Sequence, residues 1–295
     1  MSQQQRDDLD QLLRDAPLDL GGDVAEQRVI FEDMMAAIPS PADVTTSSGS
    51  LGGIPVVNVE VAGADGARVI FYLHGGAYAI GTAASSVGLA SDFARRTGAR
   101  LVTVDYRLAP EHPHPAAIDD TVAAYRGLLD SGAAASAIVI AGESAGAGLA
   151  AATLVALKHA GLPQPSAAVL MSPWADLTVS SESIGVKAAV DPALTPEGLR
   201  RRAVDYVAAG DRKAELVSPI FADLTGLPPL LIQAGSHEIL LDDASGLAAR
   251  AAAADVAVRL EVTPGVPHVF QGFAAMLDDG ALLPKSRLGA CTLAA

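Results

Sequence analysis

The chain has 295 residues, enough for one large domain or two small ones, and half of them are hydrophobic, so a substantial core is available. Aromatics make up only 4%, which leaves that core to Ala, Val, Leu and Ile. A net charge of −14, with the acids scattered, excludes the basic patch needed for nucleic acid or an anionic lipid surface.

From the N-terminus, residues 2–15 and 25–37 read as amphipathic helices separated by Pro17 and Gly21-Gly22. Met1–Asp8 is polar and acidic and lacks the basic and apolar regions of a signal peptide, so a cytoplasmic location is expected. A Ser-, Thr-, Pro- and Gly-rich loop is expected from Pro39 to Gly53. Strands and helices then alternate: strands at 56–61 and 68–73, a helix at 86–97, a strand at 101–104 and a helix at 116–129. A strand at 137–141, a helix at 145–159 and a strand at 168–171 follow. The last elements are a strand at 230–233, a helix at 244–254 and a strand at 258–262. Such alternation predicts an α/β fold with a mostly parallel sheet and helices on both faces. Residues 176–215 break the pattern, with a short helical run at 197–207. They read as a cap insertion, and residues 1–50 as an N-terminal helical cap segment on a main domain of 51–295. Residues 133–160 are weakly polar but contain Glu143, Lys158 and His159 and are no membrane span. The single cysteine, Cys291, excludes an intramolecular disulfide and a cysteine metal site.

The most informative residues are Gly142-Glu143-Ser144-Ala145-Gly146, between a strand and a helix. A serine there sits on a sharp turn, with glycines two residues away on either side letting the backbone pass. Nucleophilic serine chemistry also needs a base, a carboxylate to orient it and donors for the oxyanion. His268, in Pro264-Gly265-Val266-Pro267-His268 after the last strand, is the base candidate. His74-Gly75-Gly76-Ala77-Tyr78 follows an earlier strand, and the N–H groups of Gly75, Gly76 and Ala145 are the expected oxyanion donors. The acid lies among Glu238, Asp242 and Asp243. Glu238 is nearest the strand end and Asp242 is the alternative. His112 and His114 form a His-Pro-His without a third metal ligand at the usual spacing, His159 lies near a helix end and His237 stands beside the acid.

These motifs resemble the bacterial hormone-sensitive-lipase-like esterases of the α/β-hydrolase superfamily. The resemblance rests on His74-Gly75-Gly76, Asp105-Tyr106-Arg107-Leu108-Ala109-Pro110-Glu111-His112-Pro113, the elbow around Ser144, Ser172-Pro173-Trp174 and Gly265-Val266-Pro267-His268. It implies an α/β-hydrolase fold and a serine esterase that needs no cofactor or metal, with Ser144, Glu238 and His268 catalytic. The Tyr-Arg-Leu-Ala-Pro-Glu-His segment is implied to support the oxyanion loop. Three positions depart from the family's pattern: Ala77 stands for a third glycine, Glu143 for an aspartate, and Glu238-Ile239-Leu240 for Asp-Pro-Leu. The expected substrate is a small-molecule ester of short to medium acyl length, and a homodimer is compatible with the sequence. A lactone hydrolase, a natural-product deacetylase or an amidase would use the same triad. A ligand-binding receptor on the same fold would lack the histidine that stands here at 268.

Overall fold

Short β-branched runs become the strands of one sheet, and the alanine-rich runs between them become the helices that cover it. The computed structural model of the protein describes residues 2–37, 42–274 and 276–277, so Cys291 lies outside the described residues. Helix α1, Gln3–Arg14, begins in a capping box: Ser2 Oγ accepts from the Gln5 N–H, and the Ser2 N–H donates to Gln5 Oε1. Helix α2, Val24–Ala36, is capped by Asp23, whose Oδ1 accepts from the N–H groups of Ala25 and Glu26.

Strand β1, Val44–Leu51, pairs antiparallel with β2, Ile54–Val61. This corrects the loop expected from Pro39 to Gly53, and the segment boundary expected at residue 50 falls inside β1. The Thr- and Ser-rich run is mostly exposed at a sheet edge, so it carries no alternation of apolar and polar residues. Its signal is instead the turn. Gly52 and Gly53 both have positive φ, 58° and 85°, as a two-residue hairpin requires.

The remaining elements are β3 (Asp65–Leu73), α3 (Val87–Thr97), β4 (Ala99–Val104), α4 (Ala116–Asp130), β5 (Ile138–Glu143) and α5 (Ala145–His159). They continue with β6 (Ala167–Met171), α6 (Glu182–Val186), α7 (Pro196–Val207), β7 (Leu230–Gly235), α8 (Leu241–Ala253) and β8 (Val258–Thr263). The strand order is β1-β2-β4-β3-β5-β6-β7-β8. Strand β2 alone runs against the other seven, pairing antiparallel with β1 and β4; every pairing from β4 through β8 is parallel. Side chains alternate across it. Val69, Phe71 and Leu73 join the core under α4, α5 and α8, while Ile70 and Tyr72 face Ala90, Phe93 and Ala94 of α3. Helix α5 is buried from Ala145 to Leu157, and its small residues let it lie close to the sheet. The inserted stretch between β6 and β7 carries α6 and α7. Arg202 of α7 donates from Nη2 to the Gly22 carbonyl between α1 and α2. Among the described residues no helix is long and apolar enough to cross a membrane.

Candidate active site

Ser144 stands between the end of β5 and the start of α5, with φ 55° and ψ −124°. That conformation is strained for a residue with a Cβ, and its surroundings enforce it. The Ser144 N–H donates to the Met171 carbonyl at 2.9 Å, and the Ser144 carbonyl accepts from Trp174 N at 3.0 Å. The flanking glycines are needed for space. A Cβ on Gly142 would lie 2.5 Å from the Gly146 carbonyl oxygen, and one on Gly146 would lie 2.1 Å from that of Leu73. The elbow is therefore wedged against the ends of β3 and β6.

His268 reaches this point from the loop after β8. Its Nε2 lies 2.9 Å from Ser144 Oγ. The following residue, Val269, is left-handed with φ 50°, and its N–H donates to Ser172 Oγ at 3.1 Å. Ser172, after β6, is itself left-handed and fully buried. Gly235, the last residue of β7, admits the histidine loop. A Cβ there would lie 2.2 Å from the Val266 carbonyl oxygen.

On the other side of the imidazole, His268 Nδ1 lies 3.4 Å from Glu238 Oε2. This is ion-pair range, longer than the roughly 2.7–3.2 Å of a formed hydrogen bond, and such contacts often tighten only when substrate binds. Glu238 is fully buried, and burial pushes its carboxyl up, opposed by His268. Asp242 and Asp243 point elsewhere. Asp242 Oδ2 accepts from Ser183 N at 2.7 Å, and Asp243 Oδ2 accepts from Ala175 N and Asp176 N at 2.8 Å each. Glu238, rather than Asp242, is the carboxylate beside His268.

The glycine loop after β3 differs from expectation at one donor. The Gly75 N–H, expected to face the oxyanion, donates at 2.7 Å to Glu143 Oε1, beneath the elbow. An N–H carries one proton, so Gly75 is already engaged. The N–H groups of Gly76, Ala77 and Ala145 take no protein acceptor among the described residues. Gly76, Ala77 and Tyr78 have φ 106°, 53° and 61°, so three successive residues curl the loop back toward Ser144. A Cβ on Gly76 would lie 2.1 Å from the Ile80 carbonyl oxygen, which only glycine avoids. Glu143 is half-buried as a residue but its carboxyl Oε2 is enclosed, and that burial raises the carboxyl to about 7 against the opposing pull of Tyr72 and the Gly75 N–H.

The segment from Tyr106 to Glu111 braces this loop. The Tyr106 ring stacks on His74 at 4.2 Å between centroids, and its hydroxyl donates to the His74 carbonyl at 2.7 Å. Burial lowers His74 to about 4, so its ring is neutral. The Ala109 N–H donates to the Tyr78 carbonyl, and Arg107 grips Asp120 of α4. Tyr78 in turn stacks on Tyr206 of α7 at 3.9 Å. The other histidines stand apart. The His114 backbone N–H donates to the Tyr206 carbonyl, and His159 lies 3.5 Å from Glu215 in solvent. Among the described residues no three His, Cys, Asp or Glu side chains are grouped to hold a metal ion.

Residues 70–272 match the α/β-hydrolase fold family. The chain is 42% identical to an acetyl-hydrolase of Streptomyces hygroscopicus over 263 residues, covering 88% of this chain and 86% of that protein. It is 38% identical to an esterase of Acinetobacter venetianus, covering 85% and 83%. Its fold superposes with a TM-score of 0.92 on a crystal structure of an esterase from the bacterial hormone-sensitive lipase family, at 39% identity over 99% of this chain and 97% of that one. The geometry around Ser144 and these likenesses agree, and the chain belongs to the bacterial hormone-sensitive-lipase-like esterases of the α/β-hydrolase superfamily as a serine carboxylesterase.

Proposed function

We propose that ester hydrolysis runs through Ser144, His268 and Glu238 with an acyl-enzyme intermediate. The observation that carries this is the 2.9 Å approach of His268 Nε2 to Ser144 Oγ with a buried carboxylate behind the ring. Ser144 Oγ attacks the ester carbonyl while His268 Nε2 takes its proton. The tetrahedral oxyanion is held by the N–H groups of Gly76, Ala77 and Ala145, which replace the set that included Gly75. Ala145 opens α5, so the positive end of that helix also faces the developing charge. His268 returns the proton to the leaving alcohol, and water activated by the same nitrogen then cleaves the acyl-enzyme. Glu238 keeps the Nδ1 proton in place and stabilises the imidazolium.

The N-terminal helices and the inserted segment with α6 and α7 form the cap over this site. The substrate is a small-molecule ester with a short acyl chain, a reading supported by the similar acetyl-hydrolase. Ser144→Ala is expected to lower kcat/KM for p-nitrophenyl acetate by at least about a thousand-fold. Wild-type turnover by that variant would overturn the triad. A panel of p-nitrophenyl esters from two to twelve carbons, with lactones added, tests the substrate, and a maximum at long chains or on lactones would replace it.

A further inference from the structure

Ile239 follows the triad acid, and both of its peptide groups are held by side chains of the inserted segment. Its N–H donates to Asp191 Oδ2 at 2.8 Å, and its carbonyl accepts from Ser183 Oγ at 2.7 Å. Asp191 lies between α6 and α7 and is only 4% exposed. Its other oxygen, Oδ1, accepts from Ala193 N and Leu194 N at 2.8 and 2.9 Å. Closing that turn needs only one carboxylate oxygen. The second is spent on the loop that carries Glu238, 48 residues away.

We propose that Asp191 is a positioning residue for ester hydrolysis: it fixes the peptide next to Glu238 and adds a second buried negative charge that acts on His268. The proposal rests on the triad reading above. It makes the inserted segment part of the catalytic support as well as a cover.

The electrostatics agree with this geometry. The Asp191 carboxylate interacts with both His268 and Glu238 through the protein interior. Burial pushes Asp191 up, while His268 and the three N–H donors pull it back toward the ionised form. Glu238 stands 3.4 Å from the imidazole without a formed hydrogen bond, so a further negative charge in a low-dielectric interior favours the imidazolium of the transition state. The other charged groups around this centre are acidic too. Glu143 acts on His268 from the end of β5, and Asp243 of α8 acts on Glu238, with Asp176 beyond it.

The test is the pH profile of kcat/KM on p-nitrophenyl acetate for the wild type, Asp191→Asn and Ser183→Ala, with Ser144→Ala as control and a thermal melt of each. Asp191→Asn removes the charge and turns an amide toward the Ile239 N–H. It is expected to lower kcat roughly tenfold, keep KM within about twofold, and move the acid limb down by about half a pH unit. Ser183→Ala frees the Ile239 carbonyl but leaves the charge, so kcat falls and the acid limb stays. A wild-type acid limb in folded Asp191→Asn overturns the proposal. Should that variant not fold, wild-type kcat in Ser183→Ala does the same. Activity retained by Ser144→Ala would instead remove the triad reading itself, whatever Asp191→Asn does.

Discussion

Glu143 sits one residue before Ser144, yet its carboxylate turns back to hold the Gly75 N–H. The sequence marks the position as unusual, because the family's pattern has aspartate there, but the partner stands 68 residues earlier and no spacing rule connects the two. Counting glycines after His74 consequently assigns the first donor to the wrong acceptor. The same limit explains Asp191, which reads locally as the start of an Asp-Pro turn and reaches Ile239 only through the packing of the stretch between β6 and β7. Ser144, His268 and Glu238 were legible since each follows a strand in an order the fold dictates. The raised carboxyl of Glu143 has a consequence for stability. A group near 4.5 when unfolded and about 7 when folded binds more protons in the native state between those values, so stability falls as pH rises across that window. Glu143→Gln keeps an oxygen for Gly75 and removes the buried charge. Its melting temperature should exceed that of the wild type at pH 8 by the equivalent of up to about 3 kcal/mol, with the gain vanishing near pH 5. Parallel melts at the two pH values check this, and an equal gain at both would contradict it.

Among the elements, α2 reaches the glycine loop and its brace through Arg28. Arg28 Nε donates to the Ala79 carbonyl at 2.8 Å, Nη2 to the Ala109 carbonyl at 3.0 Å, and the same guanidinium takes Glu111 in a two-pronged grip at 2.8 and 2.7 Å. One residue thus ties the N-terminal helices to both the glycine loop and the segment that braces it. The hydrogen bond to Arg28 holds the Glu111 carboxyl at about 2, so the grip stays ionised above that pH and is lost only as pH falls through it. Arg28→Ala leaves two buried carbonyls without a donor and is expected to destabilise the protein by about 1–2 kcal/mol. Cleavage between residues 14 and 24 under limited proteolysis should speed up accordingly, and an unchanged digestion pattern would contradict the role given to Arg28. The long helices and the buried strands were readable to within three residues from their periodicity, whereas the five-residue α6 was not. Strand β1 was not, because an exposed edge strand of Thr and Ser owes its form to β2 rather than to its own pattern.

At the scale of the whole molecule, a charge of −14 sets a field that every substrate crosses. Negatively charged esters are repelled on approach, and salt screens that repulsion over a Debye length of about 8 Å at physiological ionic strength. The kcat/KM for a succinate half-ester should therefore rise at least about twofold between 10 and 300 mM NaCl, while that for a neutral ester stays level. Equal salt responses would show that the net charge is not felt at the site. The fold itself was legible at this scale because alternation alone implies a parallel sheet, whereas the packing of α7 was not, since Arg202 and Tyr206 meet their partners only in three dimensions. The strand order also fixes a sequence of events at birth. Ser144 and His268 are 124 residues apart, and β6, β7 and β8 must be added beside β5 before the histidine can arrive. At synthesis rates of roughly 5–20 residues per second, the nascent chain carries Ser144 for about 6–25 s before His268 exists. On the triad proposed above, a growing polypeptide spares the esters around it until β8 and the histidine loop behind it have been made.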